Sequence, residues 1–173
     1  MARVYVSSVI NAPATKVWAR VRDFNGLPNW HPGIAESRIE NGEPADKVGC
    51  VRAFALRNGD RLREKLLGLS DFDMLCTYSI LDSPMPLTNY VASLRLTPVT
   101  DQDRTFIEWS ADFDCAPELE AELVSGVGGN VFQTGFDALN RAFGACDAEG
   151  RPQHHHRRPH GSGVVAAARL QRV

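Results

Sequence analysis

The sequence predicts one α+β domain, built from about seven short strands and closed by one long C-terminal helix. Three observations carry this. The first ten residues are rich in β-branched side chains; Ile34 to Phe113 is a succession of short apolar runs separated by turn residues; and Glu118 to about Phe143 keeps apolar residues at helical spacing. The chain has 173 residues, 43% hydrophobic and 23% charged, enough for one buried core and too few for a second full domain.

Arg3–Ile10 (RVYVSSVI) reads as the first strand, and Asn11-Ala12-Pro13 breaks it with a proline placed to open a helix. That helix is short: Val17, Trp18 and Val21 fall on one side, and Lys16, Arg20 and Arg22 can face water. Asn25-Gly26-Leu27-Pro28 ends it, and Trp30-His31-Pro32-Gly33 makes an irregular corner before the second strand. The following strands are punctuated by Asn41-Gly42, Asn58-Gly59-Asp60, Asp71 to Asp73, Ser83-Pro84-Met85-Pro86 and Thr100 to Asp103. In Arg61–Leu69, period-two alternation groups Glu64 with Leu62 and Leu66, so a carboxylate is expected on the apolar face. The same rule turns Tyr90 inward with Ala92, Leu94 and Leu96. In Arg104–Asp114 the apolar face is Ile107, Trp109, Ala111 and Phe113, which by patterning alone sends Glu108 to water.

The long helix, Glu118 to about Phe143, is led by Pro117, has acidic residues near its positive end, and carries a stripe from Leu119 through Phe132, Phe136, Leu139 and Phe143. Gly126, Gly128 and Gly129 each cost about 1 kcal/mol in a helix interior, so close packing on the sheet or a kink is expected there. They follow no strand and do not form a nucleotide loop. After Cys146 the composition turns to Arg, His, Gly and Pro; residues 147–173 are expected to be a disordered tail outside a domain spanning 1–146.

Charge divides the same way. The formal net charge is −2, but the tail holds five arginines against Asp147 and Glu149, leaving +3 there and −5 for the domain. The acidic domain gives no support to nucleic-acid binding. No apolar run is long enough to span a membrane and no signal peptide is evident, so a cytoplasmic protein is expected. Cys50, Cys76, Cys115 and Cys146 form no CxxC pair; His31 is the only domain histidine; reduced thiols and no metal or other cofactor are expected.

Four segments, Val48-Gly49-Cys50-Val51-Arg52, Leu62-Arg63-Glu64-Lys65-Leu66, Leu87-Thr88-Asn89-Tyr90 and Phe106-Ile107-Glu108-Trp109, occur in the order of a known superfamily. Over about residues 1–145 the chain resembles the START/Bet v 1-like (SRPBCC) proteins, in particular the polyketide cyclase/dehydrase and lipid transport group, and is distantly similar to plant abscisic acid receptors. The resemblance implies a helix-grip fold: a curved seven-stranded antiparallel sheet wrapped around the C-terminal helix, two short helices after the first strand, and a ligand cavity between sheet and helix. It also implies that His31, Glu64, Tyr90, Glu108, Phe132, Phe136 and Asn140 line this cavity. On Glu108 the resemblance opposes the alternation, and the family placement is adopted: Glu108 inside, Trp109 on the outer face. The receptors' gate and latch are replaced here by Arg57-Asn58-Gly59-Asp60 and Asp82-Ser83-Pro84-Met85-Pro86-Leu87, so hormone-type gating is not expected.

Function then has three readings. The leading one is binding of a small hydrophobic or aromatic ligand, polyketide-, lipid- or isoprenoid-like, oriented by the polar cavity residues. The alternative is a cyclase/dehydrase in which His31 or a glutamate, Glu64 or Glu108, moves a proton and Tyr90 assists. The third is a protein-interaction module using the outer Trp109 face; a monomer or homodimer fits any of them. A glutamate buried at position 64 must be hydrogen-bonded, protonated or paired, for example with a buried arginine.

Overall fold

Alternation sets the first strand: Ala2, Val4 and Ile10 are buried while Arg3, Tyr5 and Ser7 face out, giving β1 over Ala2–Ile10. The computed structural model describes residues 1–144; the proposed tail, and Cys146 with it, lie outside the described residues. After β1 come helix α1 (Ala14–Val21), a 3₁₀ turn at Leu27–Asn29 and six strands: β2 (Ile34–Ile39), β3 (Val51–Leu56), β4 (Arg61–Ser70), β5 (Leu75–Asp82), β6 (Leu87–Val99) and β7 (Arg104–Cys115).

They form one antiparallel sheet in the order β1-β7-β6-β5-β4-β3-β2, with β1 returning to pair with β7. Consecutive strands from β2 to β7 are neighbours, as tight turns between short strands require. Register shifts interrupt β4 against β5 and β6 against β7, and at the latter Asn89 takes φ 53° and donates to Asp114. Such irregularities bend strands, which lets a sheet this wide curl around a helix.

Helix α1 buries Val17, Trp18 and Val21 against the sheet. Asp71, in the β4–β5 turn, fixes this end of the fold: it accepts from Trp18 Nε1 at 2.8 Å and from Arg22 Nε and Nη2 at 2.7 and 3.0 Å. Thr105 ties the far end of β1, donating its buried hydroxyl to the Ala12 carbonyl at 2.7 Å.

The C-terminal helical run starts at Pro117 and reaches Gly144, but it is not one α-helix. A 3₁₀ turn (Pro117–Leu119) leads into α2 (Glu120–Ser125); Gly126–Gln133 is wound as a π-helix; α3 (Thr134–Gly144) completes it. The glycines weaken the α winding here, and Thr134 bonds back to the Gly129 carbonyl through both its amide and its hydroxyl. The expected packing reason holds for Gly128, where a Cβ would sit 3.4 Å from Val4, whereas Gly126 and Gly129 have open space around them. The helical run buries Val127, Phe132, Phe136 and Leu139 against the sheet, and no helix among the described residues is long and apolar enough to cross a membrane.

Candidate functional site

Between the concave side of the sheet and the π-wound segment lies a mostly apolar cavity of about 340 Å³. Its walls come from the corner after α1 (Leu27, His31, Ile34), from β3, β4, β5 and β7, and from Asn130 and Val131 on the helix. At Leu56, Asn130 and Val131 it borders an outer groove of about 500 Å³ that also takes in Met85 and Leu123.

Polar chemistry is concentrated at Arg52 and Glu64. They are directly opposed across the β3–β4 ladder and both are buried. Arg52 Nε and Nη2 converge on Glu64 Oε2 at 2.8 and 2.6 Å, while Nη1 donates to the Phe24 carbonyl at 2.9 Å. The guanidinium lies 4.0 Å from the Phe24 ring centre and 5.0 Å from that of Tyr78, so aromatic faces substitute for water around it. Burial pushes the Glu64 carboxyl above its ordinary value against the opposing pull of Arg52; burial also acts against the charge of Arg52, but Glu64 raises it on balance.

His31 enters the same cavity, pinned at both ring nitrogens. Nε2 lies 2.8 Å from the Val131 carbonyl, which can only accept, so Nε2 carries the proton. Nδ1 in turn accepts from the Gly33 amide at 3.1 Å. Burial, reinforced by the positive charge of Arg52, lowers the His31 pKa and keeps the ring neutral. Gly135 permits this: a Cβ there would stand 3.1 Å from His31 and Trp30 and 3.2 Å from Trp109.

Trp109 lines the cavity, donates from Nε1 to the Tyr78 hydroxyl at 3.0 Å and stacks on Phe132 at 4.4 Å. Tyr78 is itself bonded to Tyr90, and burial raises both phenols well above their ordinary values.

The expected site residues therefore separate. His31 and Glu64 line the cavity. Tyr90 points inward but packs behind Tyr78, stacked on Phe113, one layer away from the cavity. Glu108 is a correction: strict alternation along β7 buries Ile107, Trp109 and Ala111 and leaves Glu108 half-buried on the opposite face, flanked by Ser7 and Arg95. Trp109 is accordingly an inner residue, 3% exposed, and offers no outer surface for a partner. Phe132 and Phe136 are corrected too, since both are fully buried behind Trp109, and Asn140 lies further along α3, away from the cavity wall; Asn130 and Val131 are the helix residues that reach it. Arg52, Tyr78 and the inward Trp109 were missed. Alternation puts Arg52 on the face of Phe54 and Tyr78 on that of Cys76, a signal present in the sequence.

Comparison with known proteins fits this geometry. The family model for polyketide cyclase/dehydrase and lipid transport matches residues 1–144. The chain belongs to that family. A Thermobifida fusca protein solved by solution NMR is 32% identical, with a TM-score of 0.77 over 91% of this chain and 99% of its own. The protein XoxI from Bacillus cereus is 30% identical, with a TM-score of 0.75 over 85% of this chain and 99% of its own. A Thalictrum norcoclaurine synthase point mutant, solved in complex with a transition-state analogue, shares the Bet v 1-like helix-grip fold at a TM-score of 0.65 and 16% identity, over 84% of this chain and 95% of its own. Among curated proteins, none matches the chain.

Proposed function

We propose that this family member binds a small, uncharged, mainly apolar molecule in the cavity between sheet and helix, with a hydroxyl or carbonyl group directed at Arg52 and Glu64. The observation that carries this reading is the buried ion pair at the cavity wall. Its two charges neutralise each other, and the three bonds described use three of the five guanidinium donors. A ligand hydroxyl can accept from a remaining N–H and donate to the carboxylate, whereas a ligand carboxylate would meet Glu64 as a like charge. The apolar walls supply affinity through burial, at roughly 25 cal/mol per Å² of ligand surface removed from water.

Binding is favoured over turnover by the state of His31. A general base needs a nitrogen open to the substrate, and both ring nitrogens are engaged by backbone groups. Tyr90 stands behind Tyr78, and Glu108 is on the other face of the sheet.

Calorimetric titration with 2-naphthol and with 2-naphthoate, matched in shape and different in charge, tests the reading. Saturable heat with the neutral probe and at least tenfold weaker binding of the anion are expected. Equal or tighter binding of naphthoate would overturn the charge argument, and no binding of either would remove the support for an aromatic-sized ligand.

A further inference from the structure

Behind the ligand cavity is a second, much smaller space of about 20 Å³. Leu27, Arg52, Tyr78 and Trp109 border both, so they form the wall between them. The chamber is too small for any organic ligand, but a single water needs only roughly 10–15 Å³ of such space.

Trp30 lines this chamber, and its indole Nε1 is the one buried side-chain nitrogen or oxygen among the described residues with no hydrogen-bond partner. Trp30 is 9% exposed. Its six-membered ring faces α3, because a Cβ on Gly135 would lie 3.1 Å from Trp30 Cζ3. The pyrrole edge bearing Nε1 therefore faces away from that helix. A buried N–H without an acceptor is rare in folded proteins and is ordinarily completed by an ordered water. The chamber offers the two to four polar partners that a trapped water requires: Trp30, the unused Arg52 donors, and Asp23 and Cys76 as acceptors on the same walls.

We propose that this chamber is a site for one resident water, which accepts a hydrogen bond from Trp30 Nε1 and another from the Arg52 guanidinium. The water completes the polar wall from behind and ties the Trp30-His31 corner to the ion pair. Side chains separate chamber and cavity, with Arg52 in the wall common to both.

Two measurements test it on the full chain without ligand. A high-resolution crystal structure should show a well-ordered water about 3 Å from Trp30 Nε1; a dry chamber, or an Nε1 bonded to a protein acceptor, would refute the proposal. Oxygen-17 relaxation dispersion should count one fewer long-lived water in Trp30→Phe than in the unaltered protein, and an unchanged count would show that Trp30 does not hold it. Should Trp30→Phe fail to fold, the density in the unaltered protein decides the matter alone.

Discussion

Replacing Arg52 with Met is the most informative perturbation of the cavity wall. It leaves the Glu64 carboxylate buried without its counter-charge and the Phe24 carbonyl without its donor. Removing one member of a buried, hydrogen-bonded pair costs about 3–5 kcal/mol, because the remaining charge is desolvated without compensation. For a domain of this size, at about 3 °C per kcal/mol, the melting temperature should fall by about 10–15 °C. The double variant Arg52→Met/Glu64→Leu removes both charges and keeps similar volume, so it should recover most of the loss. The single variant should also be sensitive to pH in a defined direction. With its folded pKa raised above the unfolded value of about 4.3, Glu64 is best tolerated below that pH, and its contribution is lost as pH rises through the folded value. Urea denaturation of the parent, both single variants and the double variant at pH 7 closes the cycle. A cost below about 1 kcal/mol for Arg52→Met, or a double variant no more stable than the singles, would refute the assignment of a fully desolvated pair.

Glu108→Gln should change stability by less than about 0.5 kcal/mol and leave 2-naphthol binding unaltered, since the side chain lies on the face away from the cavity; a tenfold loss of affinity would return Glu108 to the site. Because the folded His31 has a depressed pKa, its contribution is complete above about pH 6.5 and declines as pH falls toward the folded value, with a slope of at most about 1.4 kcal/mol per pH unit. Urea midpoints between pH 5 and 7.5 should show this slope, and His31→Asn should lack it. Gly135→Ala presses a methyl group against His31, Trp30 and Trp109 and should destabilise by about 1–3 kcal/mol; an unchanged melting temperature would mean that the corner yields freely.

Much of this arrangement was legible in the chain. Turn residues between short β-branched runs located the strands, and alternation alone placed Glu64 and Tyr90 inside. Alternation also holds at Glu108, against the family placement: a strand without a bulge cannot exchange its faces, and β7 runs without one from Val91's partner Asp112 to Arg104. The cavity-facing helix residues were harder to find, since a π-wound segment advances differently from the 3.6-residue period on which a stripe is read. The stripe residues Phe132 and Phe136, expected at the cavity, are core, and the residues at the opening, Asn130 and Val131, follow from the local winding. The pinning of His31 was beyond sequence reasoning, because its partner carbonyl is 100 residues away.

The central claim, that the space between sheet and helix is a ligand site, is tested most directly by intermolecular NOEs to bound 2-naphthol. Contacts from the naphthol ring to Leu27, Trp109 and Val131 side chains are expected, together with perturbation of the Arg52 Nε–H resonance. Contacts confined to outward residues such as Tyr5 and Val91 would contradict it.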